Sequence, residues 1–258
     1  YTAPALLDEI LETAADIRGK FDAFVVLGIG GSALGPIAVQ QALNHMRYNE
    51  LPAERRGGPR FYVEDNIDPA RMDALFDVID IKKTCFNVIT KSGSTSETMA
   101  QFLIIADKLK KAGVSLKDNM IATTDKAKGN LIKIAQQEGL KTFVIPDGVG
   151  GRFSEMTPVG LLGAAVCGID IKELIAGARY MDGLLQSENV MENMAYLDGA
   201  LQYLCMENGV NVSVMMPYTD SLKYMSDWYA QLWAESLGKK LVKDGKVLRF
   251  GQTPVKSL

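Results

Sequence analysis

Short apolar runs alternate with longer stretches of helical period through the first part of the chain. Leu6, Leu7, Ile10, Leu11, Ala14 and Ile17 recur at helical spacing and predict an amphipathic helix over 3–19. Ala23–Leu27 is uniformly apolar and predicts a buried strand, followed by a helix over 33–46. Further strands are predicted at Arg60–Val63, Thr84–Ile89, Met120–Thr123 and Thr142–Ile145. Helices are predicted between them: one opening at the Asp68-Pro69 cap and running to about Asp80, one over Thr95–Lys111, and one over Asn130–Gln137. Strands alternating with helices in this way imply an α/β fold, a three-layer parallel sheet with helices on both faces.

Beyond Arg152 the texture changes. Helical patterns cover 156–167, 170–186 and 190–208, then Val212–Met216 reads as a strand and Thr219–Leu237 as a long helix. Lys239–Gly251 is polar and turn-rich, a candidate hairpin. A lone strand with one helix cannot be a domain, so the end of the chain reads as the start of a second α/β unit. The organisation expected is an N-terminal helix over 1–20, a first domain over 21–155, connecting helices over 156–208 and an incomplete second domain over 209–258.

Composition narrows the partners. Apolar residues make up 47% and charged residues 23% of 258 positions, which suits a globular protein with a substantial core. The net charge of −3 argues against a nucleic-acid surface, so any anion site has to be local. The weakly polar stretch from Val159 to Ile169 is too short and glycine-rich to span a bilayer. The chain begins at Tyr1 and enters a helical pattern at once, so no signal peptide is expected and it is expected to be the interior of a longer protein. Cys85, Cys167 and Cys205 are widely spaced in apolar contexts and are expected to be buried thiols in a reducing compartment, so a cytoplasmic location is expected. A single histidine, His45, rules out a His-based metal site within the chain, and it reads as a helix-end residue.

Three polar loops follow apolar strands. Gly28-Ile-Gly-Gly-Ser32-Ala-Leu-Gly35 follows the first, Thr90-Lys-Ser-Gly-Ser-Thr95-Ser-Glu-Thr98 the third, and Gly148-Val-Gly-Gly-Arg152-Phe-Ser154 the fifth. Glycines let backbone N–H groups approach an anion, hydroxyls donate to it, and the following helix adds its positive end. Each loop also has a bland reading. Gly28-x-Gly30-x-x-Ala33 fits a relaxed dinucleotide fingerprint, yet Glu64-Asp65 lies too far along to supply its acidic partner, and a structural turn remains open. Thr95 could be only an N-cap, although a cap uses one hydroxyl of several. Arg152 could pair with a structural carboxylate. Gln231 and Glu235 share a helix face beside Trp228, Leu232, Trp233 and Leu237, and Glu235 could equally be a solvated surface residue.

Together, Gly28–Pro36, Ile89–Thr98, Val149–Ser154 and Gln231–Lys239 resemble the phosphoglucose isomerase family and its sugar-isomerase (SIS) domains, in order and at plausible spacing. The resemblance implies an SIS fold and an enzyme of glycolysis and gluconeogenesis that interconverts glucose 6-phosphate and fructose 6-phosphate through an enediol(ate). It implies no metal and no organic cofactor. By position, Glu235 matches the carboxylate that moves the proton between C1 and C2, and Arg152 the cation that stabilises the enediolate. Thr90, Lys91, Ser92 and Thr95 match the phosphate loop, Gly31 and Ser32 the contact from the first loop, and Gln231 a substrate-positioning residue. The family's ring-opening histidine, supplied across a homodimer interface, and its C-terminal lysine fall beyond the last matching block. The expected partner is a hexose 6-phosphate, with no nucleic acid and no membrane. A non-catalytic phosphosugar-binding module is the alternative, and Glu235 with Gln231 separates the two, because a sensor needs no proton-transfer carboxylate.

Overall fold

The computed structural model describes residues 3–240, 245, 247 and 251–257. They fall into two compact units, 1–170 and 171–258.

The first unit is built on five parallel strands: β1 (Ala23–Leu27), β2 (Arg60–Glu64), β3 (Thr84–Thr90), β4 (Met120–Thr124) and β5 (Lys141–Val144). Their order in the sheet is β2-β1-β3-β4-β5. β1 and β3 are buried at every residue; β1 is wholly apolar, while β3 carries the buried polar residues Thr84, Asn87 and Thr90 within its apolar run. Side chains alternate between the faces. Val25, Leu27, Phe86 and Val88 share a core with α3 (Pro69–Val78), α4 (Ser96–Lys111), the short α5 (Leu116–Asn119) and α6 (Asn130–Glu138), through Met72, Phe102, Ile105, Leu116 and Leu131. On the opposite face, Phe24 stacks on Phe61, and Gly163 of α7 (Pro158–Val166) lies against both rings. α7 also packs on α1 (Pro4–Lys20) and α2 (Leu34–Leu43). The sheet is therefore covered on both sides, as the alternation of elements requires.

Strand order reverses between β1 and β3, because β1 leads outward to β2 while β3 leads the other way to β4. In doubly wound sheets the crevice at such a reversal, outside the carboxyl ends of the strands, is where ligands bind. The loops after β1 and β3 leave the sheet side by side there.

Most expected boundaries fall within a residue or two of the structure. α2 is shorter than expected because Asn44 leaves the helical region at its C-cap. His45 lies past that cap, and its Nδ1 accepts the Arg47 N–H in a turn. α7 is buried at every residue and belongs to the first unit, which extends to Asp170.

The second unit holds α8 (Ile171–Leu184), α9 (Met194–Glu207), β6 (Val212–Met215), α10 (Met225–Leu237) and β7 (Thr253–Lys256). β6 and β7 pair in parallel, from Val212↔Thr253 to Met215↔Lys256, with α10 packed on both. This is a β-α-β unit around a two-stranded parallel sheet. β7 was not expected, and it corrects the reading of a lone strand: Thr253-Pro254-Val255-Lys256 is short and carries a proline, which weakens a strand signal. The helix expected from Thr219 begins at Met225, after a short turn over Asp220–Leu222. Most of the candidate hairpin, at 241–244, 246 and 248–250, lies outside the described residues. Cys85 and Cys167 are buried as expected, but Cys205 is exposed, because α9 has no buried residue.

Candidate functional site

Thr90 is the last residue of β3 and is buried, so its side chain is fixed by the sheet. Its carbonyl accepts the Thr124 hydroxyl from β4 at 2.7 Å. Its own hydroxyl is 2.9 Å from that of Thr95 and 3.3 Å from that of Ser92, and the Ser92 and Thr95 hydroxyls are 3.3 Å apart. Three expected phosphate-loop residues thus form one triangle of hydroxyls. Thr95 stands at the N-cap of α4 but makes no side-chain cap bond. Its hydroxyl joins the triangle instead, where the first N–H donors of a 16-residue helix begin. The loop is pinned from behind, since the Gly93 carbonyl accepts the N–H groups of Asn130 and Leu131 at the start of α6.

Lys91 points elsewhere. Its ammonium donates to the carbonyls of Val149 at 2.7 Å and Pro146 at 3.3 Å. The lysine expected at the phosphate loop therefore ties that loop to the segment leading into Arg152.

The first loop and the arginine loop meet through backbone. Gly31 and Ser32 lie in a short turn over Gly30–Ser32, and Arg152 lies in a second turn over Gly151–Phe153. A Cβ on Gly31 would fall 2.4 Å from the Arg152 nitrogen, an approach open only to glycine. Ser154 holds the second turn closed, its hydroxyl donating to the Gly151 carbonyl at 2.6 Å, and the Thr157 hydroxyl donates in turn to the Ser154 carbonyl at 2.6 Å. The Arg152 guanidinium lies 4.9 Å from the centre of the Phe153 ring. Gly31, Ser32 and Arg152 are thus brought together, with Thr90, Lys91, Ser92 and Thr95 joined to them through the Lys91 bridge.

Glu155 was not singled out by its sequence. Both of its carboxyl oxygens are buried without a hydrogen-bond partner among the described residues. Burial pushes its pKa up to about 8. No local signal marks it, because its pocket closes only when Gly35, 120 residues upstream, packs against it opposite Gly160.

In the second unit, Gln231 donates through Nε2 to Glu235 Oε1 at 3.0 Å, one turn along α10. The Lys239 ammonium donates to the Glu235 carbonyl at 2.6 Å. Glu235 is exposed, while Trp233 on the same helix packs against Tyr229 with ring centres 5.3 Å apart. Among the described residues, no group of three or more His, Cys, Asp or Glu could hold a metal ion, and no helix is long and apolar enough to cross a membrane.

A doubly wound sheet with hydroxyl, glycine and arginine loops gathered near its reversal point defines an α/β protein with a local anion-binding constellation. The match to known proteins is more particular. The family model for phosphoglucose isomerase covers residues 14–256, and the chain belongs to that family. The glucose-6-phosphate isomerase of Carboxydothermus hydrogenoformans is 60% identical over 100% of this chain and 56% of its own length. Among solved structures, a hypothetical protein from Thermus thermophilus is 35% identical with a TM-score of 0.86, over 98% of this chain and 57% of that one. A glucose-6-phosphate isomerase from Chlamydia trachomatis is 25% identical with a TM-score of 0.81, over 97% of this chain and 48% of that one. The chain thus spans about half the length of the proteins it matches.

Proposed function

We propose that the full-length protein is a glucose-6-phosphate isomerase, catalysing reversible aldose–ketose conversion between glucose 6-phosphate and fructose 6-phosphate through an enediol(ate). The observation that carries this reading is the triangle of Thr90, Ser92 and Thr95 hydroxyls at the strand reversal, bridged by Lys91 to the loop of Arg152. An anion at that triangle would receive hydroxyl and backbone N–H donors, and holding the phosphate end keeps the sugar carbons still.

The roles follow from the chemistry. Thr90, Ser92 and Thr95 bind the phosphate by hydroxyls, and Lys91 by its backbone N–H, since its ammonium is engaged on carbonyls. Gly31 and Ser32 contact the substrate from the first loop. Arg152 stabilises the oxyanion of the enediolate, where a fixed cation acts on charge as it develops. Glu235 moves the proton between C1 and C2, with Gln231 orienting its carboxylate by their 3.0 Å hydrogen bond. Neither metal nor organic cofactor is called for by such a proton shuttle. The full-length protein acts as a cytoplasmic homodimer whose ring-opening histidine and second lysine come from outside this chain. The test is conversion of fructose 6-phosphate to glucose 6-phosphate by the purified full-length protein in the presence of chelator. Phosphosugar binding without turnover would mark a sensor module instead.

A further inference from the structure

Glu155 follows directly on the turn that presents Arg152. Its carboxyl is enclosed by two helices that approach it through glycine. A Cβ on Gly35 of α2 would fall 2.3 Å from Oε2, and one on Gly160 of α7 would fall 2.3 Å from Oε1. Any larger residue at either position would occupy the carboxyl's place. Both oxygens are buried and unpartnered among the described residues, although the residue as a whole is partly accessible.

We infer that Glu155 is a positioning residue for Arg152: as a neutral carboxylic acid, its side chain wedges between α2 and α7 and fixes the turn that carries the guanidinium. The proposal rests on the reading that Arg152 acts on the phosphosugar. The mechanical link is short. Glu155 lies between Ser154, whose hydroxyl closes the Arg152 turn on the Gly151 carbonyl, and Thr157, whose hydroxyl holds the Ser154 carbonyl and accepts the Val159 N–H at the start of α7. The Arg152 turn in turn abuts Gly31. Moving the wedge therefore moves Ser154, the turn and the first loop together.

The environment requires the neutral form. No titratable residue occurs in α2 (Leu34–Leu43), in α7 (Pro158–Val166) or in residues 28–33, so no cation faces the carboxyl from the elements packed on it. Arg152 is the nearest charged residue within the loop itself, and burial alone accounts for the raised pKa. An unpaired carboxylate in that pocket would be strongly disfavoured. On ionising, the side chain has a route outward, since the residue is partly accessible, and leaving the pocket would release the turn.

The experiment measures kcat and KM for fructose 6-phosphate with the full-length protein, from about pH 6 to about pH 9.5, for wild type, E155Q and E155D. Wild-type kcat should fall as pH rises through about 8. E155Q keeps the shape without the charge, so it should hold neutral-pH kcat within about twofold and lose that alkaline fall. E155D withdraws the carboxyl by one methylene and should lower kcat about tenfold with little change in KM, because the phosphate is held by a different loop. Unchanged kcat in E155D would overturn the proposal. So would an alkaline fall in E155Q with the wild-type midpoint, or a neutral-pH loss in E155Q as large as in E155D. If E155Q does not accumulate as folded protein, a neutral side chain cannot serve and the proposal fails. Wild-type protein without turnover would defeat the isomerase reading itself, a result visible before any variant is compared.

Discussion

Gly31 lies so close to Gly151 that a Cβ on Gly31 would stand 2.1 Å from the Gly151 carbonyl carbon. The neighbour is backbone, so it cannot swing aside as a side chain would. Gly31→Ala must push the Gly151–Phe153 turn away, and Arg152 with it. Overpacking of this kind costs about 1–3 kcal/mol in stability. On the role proposed for Arg152 the functional loss should be larger, because a displaced cation would miss the developing oxyanion. A fall in kcat of about 10²-fold, with folding retained by circular dichroism, is expected. Wild-type kcat in Gly31→Ala would mean that the two loops do not cooperate.

The hydroxyl triangle gives the second prediction. Thr90 is part of the core strand, so the accessible test is Ser92→Ala with Thr95→Ala. Each hydrogen bond to a charged acceptor is worth about 1.5–3 kcal/mol. The double variant in the full-length protein should weaken fructose 6-phosphate binding by at least about tenfold, read by calorimetry. Binding equal to wild type would remove the phosphate from this loop.

Lys91 separates tethering from direct charge pairing. Its ammonium bonds to the carbonyls of Val149 and Pro146, joining the β3 loop to the arginine loop. Lys91→Met should therefore lower the melting temperature and kcat while leaving phosphate affinity within a small factor. These bonds are partly exposed, so the stability loss should stay near about 1 kcal/mol. If phosphate affinity collapses instead, the ammonium leaves the carbonyls when the anion arrives.

How much of this was legible in the sequence depends on how local each signal is. β1 and β3 are buried on both faces, so the apolar run of β1 and the mostly apolar run of β3, which tolerates Thr84, Asn87 and Thr90, marked them almost to the residue. The three loops were legible because glycine and hydroxyl residues cluster directly after those runs. The direction of the Lys91 side chain was not, since its acceptors lie 55 and 58 residues away. Glu155 was silent for the same reason: its enclosure exists only once α2 and α7 have packed. Cys205 misled because Leu204 and Met206 flank it, although apolar neighbours along the chain do not by themselves bury a helix, and α9 has no buried residue.

Burial of Glu155 also has a sign in stability. Its folded pKa, about 8, lies above the ordinary value of 4.5. The unfolded chain releases this proton first, so the contribution is fully present below about pH 4.5 and is lost as pH rises towards 8. Thermal unfolding of the full-length protein should therefore show a decline across that interval, and Glu155→Gln should flatten it. An identical decline in both proteins would show that the carboxyl ionises freely in the folded state.

The last prediction concerns Glu235. It is exposed on α10, accepts the Gln231 amide at 3.0 Å, and sits in the segment that resembles the family's catalytic block. A carboxylate held by a neighbouring amide is oriented, and orientation is what a base acting on a carbon acid needs. Removing such a base deletes a chemical step, whereas substrate affinity, on the reading proposed above, rests on the hydroxyl loop after β3. Glu235→Gln in the full-length protein should therefore lower turnover by about 10²–10⁴-fold. The dissociation constant for fructose 6-phosphate should stay within a small factor of wild type. Solvent deuterium, which wild type should wash into C2 of glucose 6-phosphate, should enter no faster than turnover allows. Gln231→Ala should give an intermediate loss, because the carboxylate remains but is no longer held. If Glu235→Gln exchanges the C2 proton with solvent at the wild-type rate, another group moves the proton and the role assigned to α10 is wrong.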